Sequence, residues 1–277
     1  MNELQAPSST VVVPASPRRH SPVLGFIIDL LIGLGVLVMV SIGSGLVWGV
    51  YRGFELALLA RQRGVVAAPE QIAHAIGQPG ALAQMLMALV STASAALVLY
   101  FGRRRASAAE CQASREAIAR GATWGWISAV ALAIFAFSMM VGALAESLGV
   151  HPVPTNQALM EQAIVLSPTF LVVFAVVLAP AYEELLFRRV LFGRLLAAGR
   201  PWLGMLLSSL AFALLHEVPG LSGNGPAAIV QLWLVYGVMG AAFAWLYWRT
   251  GTLWASIAAH GLNNAVALVA LHWFGIH

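Results

Sequence analysis

The chain has 277 residues, 60% hydrophobic and only 9% charged, whereas about a quarter of an ordinary soluble domain is charged. This excludes a soluble globular protein and, at roughly 20 apolar residues per bilayer span, leaves room for about seven spans joined by short connections. The formal charge of +4 comes from fifteen basic residues, all arginine, set against ten glutamates and Asp29. The arginines are scattered among connections without interleaved aromatics, which excludes a nucleic-acid reader. A lone Cys111 excludes a disulfide framework and any multi-thiolate zinc cluster, and a single aspartate excludes a two-aspartate intramembrane protease.

Residues 1–22 mix Pro, Ser and Val with Arg18 and Arg19 and lack the apolar core of a cleaved signal; they read as a disordered tail. Apolar stretches follow at about Val23–Val50, Ala81–Phe101, Trp124–Val150, Ser167–Leu196, Trp202–His216, Ala227–Trp248 and Leu253–Phe274. The expected fold class is all-α, a polytopic transmembrane helical bundle of about seven spans, eight if the fourth is split, with its chemistry in the membrane core. After the tail, residues 23–123 form N-terminal helices with an arginine-rich loop and residues 124–277 a catalytic helical core. Trp124, Trp126, Trp202, Trp248 and Trp254 fall near span ends, where indoles anchor at the interface. No internal repeat supports an inverted-repeat transporter.

Alternation from an inside N-terminus puts twelve arginines on one side and Arg52, Arg61 and Arg63 on the other. Cytoplasmic loops collect basic residues, so the N-terminus is expected in the cytoplasm. Arg103, Arg104, Arg105, Arg115 and Arg120 are expected to set topology and touch anionic headgroups. Asp29, near the cytoplasmic start of the first span, is expected to snorkel or to pair with Arg18 or Arg19.

Ionisable residues inside a span are costly, so each needs a reason. The fourth span reads Ala179-Pro180-Ala181-Tyr182-Glu183-Glu184-Leu185-Leu186-Phe187-Arg188. Glu184 and Arg188 sit in the favourable order for a helical i,i+4 ion pair, which leaves Glu183, about 100° around the helix, without a local partner. A carboxylate among apolar neighbours is a candidate general base; the structural alternative is an acid pair steadying a helix kinked at Pro180.

The fifth span ends Phe212-Ala213-Leu214-Leu215-His216. Glu183 lies 17 residues before Arg200 and His216 lies 16 after it, so an antiparallel hairpin turning there brings the two to similar depth, where they can share a water. In the seventh span, His260 and Asn264 project from one face. Both can donate to a developing oxyanion, or serve as polar glue between helices. Together these residues are a parts list for amide hydrolysis. Glu183, His216 and His260 also make a His2Glu set of the kind that holds catalytic zinc, so the sequence leaves a metal-free site and a zinc site both open.

Other signatures fail. His216-Glu217-Val218-Pro219-Gly220 has Gly where a zinc-protease helix needs its second histidine, and Pro219 would break the helix. Ser44, in Ile42-Gly43-Ser44-Gly45, lacks the glycine two residues before a rhomboid-type serine.

The segments Glu183-Glu184-x-x-x-Arg188, Phe212-x-x-x-His216 and His260-x-x-x-Asn264, in this order on successive helices, resemble the CAAX protease and bacteriocin-processing family, also called the Abi family, over roughly residues 125–275. The resemblance implies a glutamate-dependent intramembrane endopeptidase with a cavity wetted from the cytoplasmic side. Glu183 and His216 would activate water, His260 and Asn264 would stabilise the oxyanion, and Glu184 and Arg188 would support them. No cofactor is required on that mechanism, although the family has been classed with metalloproteases. Family members are associated with trimming prenylated proteins in eukaryotes and with bacteriocin maturation or immunity in bacteria.

The all-arginine basic set and the high Ala, Gly and Leu content suit a high-GC bacterium and its cytoplasmic membrane. The expected partners are the lipid bilayer and a membrane-associated peptide or protein. The alternative from another class is a scaffold, or a small proton-coupled transporter using the intramembrane glutamates. A straight fourth helix puts Glu183 about 25 Å from Arg200. A cytoplasm-facing cavity then asks residues 189–200 to bend at Gly193 and lie along the interface, with Arg189, Arg194 and Arg200 at headgroup level.

Overall fold

The computed structural model describes residues 21–64 and 68–274; the N-terminal tail as far as residue 20, with Arg18 and Arg19, lies outside them. The helices are α1 (Pro22–Gln62), α2 (Pro69–Ala75), α3 (Ala81–Arg103), α4 (Ala108–Ile118), α5 (Gly121–Ser147), α6 (Gln157–Leu166), α7 (Pro168–Ala197), α8 (Pro201–His216), α9 (Pro226–Thr250) and α10 (Leu253–Phe274). Five of them, α1, α2, α7, α8 and α9, begin with proline in the first turn, where its missing N–H costs nothing and its fixed φ suits the helix.

Among the described residues six helices are long and apolar enough to cross a membrane: α1, α3, α5, α7, α9 and α10. The sixteen-residue α8 is shorter, about 24 Å. The 41 residues of α1 span about 60 Å, twice the hydrocarbon thickness. Its second half, with Arg52, Glu55 and Arg61, therefore runs past the apolar stretch and packs on α2. Leu31, Met39, Val47, Leu144 and Leu206 are exposed on the outside, a girdle that a bilayer covers and water would not tolerate. The chain is an integral membrane helical bundle.

The second half of α7 is the centre of the packing. Leu186, Phe187, Val190, Leu191 and Phe192 are all buried, against Phe26 of α1, Leu99 of α3, Ile127 of α5, Phe212 of α8 and Phe243 and Leu246 of α9. One end of the bundle is stitched by arginines. Buried Asp29 of α1 accepts from Arg103 and, at 2.5 Å, from Arg194. Arg189 grips Glu110 of α4 through two bonds of 2.8 and 3.0 Å, and Arg104 donates to the Gly193 carbonyl at 2.9 Å. The bond from Arg189 holds the Glu110 carboxyl down at about 2.

Two expectations change here and one is extended. Asp29 does not snorkel, because its partners arrive from 74 and 165 residues away, beyond the reach of local reading. Arg103 and Arg104, expected at headgroup level, also tie helices together. At Gly193 the helix continues with φ −58° and ψ −27°, so residues 189–197 stay in line with α7 and do not turn into the interface, because Arg189 and Arg194 are both engaged by the bundle.

The regularity of α7 breaks around Pro180. Phe174–Leu178 and Leu185–Phe192 are wound as π-helix on either side of Ala179–Glu184, a local underwinding that often accompanies functional sites. The Ala179 N–H bonds back to the Phe174 carbonyl. In that register the next bond would run from residue 180 to Ala175, and Pro180 has no N–H to supply it. The orphaned Ala175 carbonyl instead accepts from the Asn264 amide of α10 at 2.9 Å.

The same contact brings α10 so close that a Cβ on Gly261 would stand 2.3 Å from the Val176 carbonyl oxygen. Gly261→Ala therefore forces α10 away from α7, and we expect a destabilisation of at least about 1–3 kcal/mol, read as a loss of folded protein in detergent. An unchanged unfolding temperature would show that the contact relaxes freely. Gly251, at φ +71°, is the left-handed residue that ends α9 and lets α10 return antiparallel to it.

Candidate active site

Glu183 and Glu184 are neighbours on α7 that face different partners. Glu184 is fully buried. Its Oε2 is 2.8 Å from Arg188 Nε and its Oε1 is 3.0 Å from His260 Nδ1. Arg188 is itself fully buried, and its Nη1 and Nη2 have no hydrogen-bond partner among the described residues. Its guanidinium lies instead over the rings of Phe187, Phe212 and Phe243 at 5.7, 4.8 and 5.6 Å, where ring quadrupoles replace part of the lost hydration.

Glu183 points into a cavity of about 340 Å³. Its Oε2 lies 3.7 Å from His216 Nε2 and 3.9 Å from His260 Nε2. These separations are too long for direct hydrogen bonds and right for a bridging water. The far ring nitrogens are both engaged: His216 Nδ1 lies 2.8 Å from the Phe212 carbonyl and His260 Nδ1 faces Glu184. A carbonyl and an ion-paired carboxylate accept, so each Nδ1 carries the hydrogen, and in the neutral rings each Nε2 offers a lone pair to the cavity. The side chains of Glu183 and His216 are 20% and 21% exposed and that of His260 is 4% exposed, so the first two present more surface to the cavity.

The hairpin arithmetic thus predicts the proximity of Glu183 and His216, and the i,i+4 rule predicts the pairing of Glu184 with Arg188. Asn264 lines the same cavity, but one hydrogen of its amide is committed to Ala175. The glue contact is made, and one amide hydrogen remains. Among the described residues, no group of three or more His, Cys, Asp and Glu side chains is arranged to hold a metal ion. Glu183, His216 and His260 all face the one cavity.

Several contributors escaped sequence reading. Phe243 stacks on His260 at 4.8 Å, and Tyr236 lies 4.8 Å from the ring of His216. Both come from α9, where neither ring stands out from the apolar, aromatic-rich run around it. Glu217, seen in the sequence only as part of a failed zinc motif, is fully buried. Its carboxylate accepts from Thr155 Oγ1 at 2.7 Å, the Thr155 N–H at 3.3 Å, Asn224 at 3.0 Å and Ser222. Burial pushes this carboxyl up, but the bonds from Ser222, Thr155 and Asn224 outweigh it and hold the group below its ordinary value.

The family model for type II CAAX prenyl endopeptidases, Rce1-like, matches residues 165–266. This part of the chain is similar to an Rce1-like domain. It contains Glu183, His216, His260 and Asn264, and it runs from the end of α6 into α10. The Bacillus subtilis (strain 168) protein named "Putative membrane peptidase YdiL" is 27% identical over 114 residues, 41% of this chain and 41% of that protein. The chain thus spans about two-fifths of the length of this curated relative. No solved structure matches the chain.

Proposed function

We propose that the protein is an intramembrane endopeptidase that hydrolyses a peptide bond of a membrane-associated polypeptide, with Glu183 as general base. The observation that carries this reading is the gap among Glu183 Oε2, His216 Nε2 and His260 Nε2, with 3.7 and 3.9 Å separations from the carboxylate. A water there can donate one hydrogen to Glu183 and the other to His216, which aims an oxygen lone pair at a substrate carbonyl. The water oxygen bonds to the carbonyl carbon, its proton passes to Glu183, and the carbonyl oxygen becomes an oxyanion. When the C–N bond breaks, Glu183 returns that proton to the leaving amine.

The oxyanion needs donors. Asn264 has its second amide hydrogen. His260 can donate from Nε2 only when both ring nitrogens are protonated, because Nδ1 already faces Glu184. Such an imidazolium would lie between Glu183 and Glu184, and the buried cluster of two carboxylates, one guanidinium and one imidazolium would then be neutral. Glu184 and Arg188 are positioning residues in this scheme: they fix the ring of His260 and do not touch substrate.

The test compares protein termini in membranes that contain the wild-type chain with membranes containing Glu183→Gln at equal expression, by mass spectrometry. New ends confined to the wild type are expected; identical sets of ends would overturn the peptidase reading. The same wild-type reaction is expected to survive a chelator such as 1,10-phenanthroline. Loss of cleavage with chelator and its return with added zinc would replace this mechanism with a His2Glu zinc site.

A further inference from the structure

Depth and access to the site point in different directions. Glu183 is six residues from Arg189, about 9 Å along the helix, so by depth it lies close to the arginine-stitched end. The cavity that holds it leads the other way. Its walls include the apolar Met160 of α6, Phe174 of α7, Val235 of α9 and Leu268 and Leu271 of α10, beside the polar Ser138 and Asn263, and its rim includes Pro154 and Asn156 of the α5–α6 connection. That connection follows the far end of α5, one helix length of 27 residues, about 40 Å, from Gly121 beside the arginines. On the arginine side a separate cavity of about 520 Å³ reaches Tyr182 and Leu185, but none of Glu183, His216, His260 and Asn264 lines it.

The far rim is also a built structure. Glu217, one residue after His216, holds Thr155, while Asn224 and Val153 bond each other in both directions at 3.0 and 2.7 Å. The α5–α6 connection is thereby fastened to the α8–α9 connection beside the site. Asn156 is exposed and its side chain makes no cap bond to α6, so the rim at that point is open to a passing chain. Depth alone would favour the arginine side, but an attacking water and a substrate carbonyl must share the compartment of Glu183, and the lining decides which compartment that is.

We propose that the substrate reaches Glu183 through the rim formed by the α5–α6 and α8–α9 connections, from the membrane face opposite the arginine-rich end. This rests on the peptidase reading above. Under the charge rule the arginine-rich end is cytoplasmic, so the route departs from the cytoplasm-wetted cavity that the family resemblance implies, and the substrate class is an exported or membrane-anchored polypeptide that presents an extended, apolar segment from the non-cytoplasmic face. Aliphatic side chains fit walls of Met160, Phe174, Val235, Leu268 and Leu271, and Asn156 can meet a peptide group at the rim.

The chain carries its own control, because its one cysteine, Cys111, is exposed and lines the arginine-side cavity. The native chain, Cys111→Ser with Asn156→Cys, and Cys111→Ser with Glu183→Cys are treated with a small membrane-impermeant methanethiosulfonate cation in right-side-out and in inverted vesicles. We expect the two engineered thiols to react in right-side-out vesicles and the native one in inverted vesicles. A bulky maleimide on the Asn156→Cys chain is expected to abolish the Glu183-dependent termini, and on Cys111 of the native chain to leave them.

Reaction of the Glu183→Cys chain from the face of Cys111, or from neither face, overturns the access route. So does a maleimide block at Cys111 in place of Asn156→Cys. The thiol sidedness needs no catalysis, so it decides the route even when no Glu183-dependent terminus is found, a result that would remove the peptidase reading alone.

Discussion

Glu183→Gln is expected to lower the cleavage rate about 10²–10⁴-fold, the usual worth of a positioned general base, while leaving the bundle folded. The substitution keeps the side chain's size and removes only its ability to take a proton. Little stability should go with it, because the Glu183 side chain is 20% exposed and its polar neighbours stand 3.7 and 3.9 Å away, so no direct bond is lost. Glu183→Asp tests the geometry: one methylene less withdraws the carboxylate by about 1 Å, enough to cost a further large factor in rate. Rates of terminus formation and unfolding temperatures in detergent measure the two effects separately. Cleavage retained by Glu183→Gln would remove the residue from the mechanism, and a collapsed fold would make it structural.

Arg188→Met should be among the most destabilising single changes in the chain, by about 3–5 kcal/mol, because it strips the cation from a buried carboxylate. Glu184 and Arg188 are both fully buried and 2.8 Å apart. With the guanidinium gone, Glu184 keeps His260 alone as a compensating partner. The double variant Arg188→Met with Glu184→Gln removes both charges, and such replacements are often neutral or stabilising, so folding should return. Activity should not, because Gln offers His260 a weaker and neutral acceptor and the ring loses its fixed orientation. A thermal-unfolding double-mutant cycle reads the coupling. Near-additive losses would mean that the pair contributes little and that the three phenylalanine rings hold Arg188 by themselves.

The spans were legible because lipid leaves the chain few choices: backbone groups without water must bond within helices, and the apolar runs are long. The candidates Glu183, His216 and His260 were legible for the same reason, since charge inside a span is conspicuous. Glu217 was not, because it follows a helix end where a glutamate draws no attention, and its donors Thr155 and Asn224 belong to two connections without pattern. The Asp29 partners Arg103 and Arg194 were not legible because both are distant in sequence.

By itself the sequence determined a membrane bundle, the order of its spans and the i,i+4 pairing of Glu184 with Arg188, all of which follow from composition and helical period. The tertiary structure decided which polar groups share a compartment. It committed one hydrogen of Asn264 to the carbonyl that Pro180 leaves unpaired, placed Phe243 against His260, and led the Glu183 cavity away from the arginines. Those outcomes depend on how helices far apart in sequence are set against one another, and helical periodicity gives the face of a helix without saying what it meets.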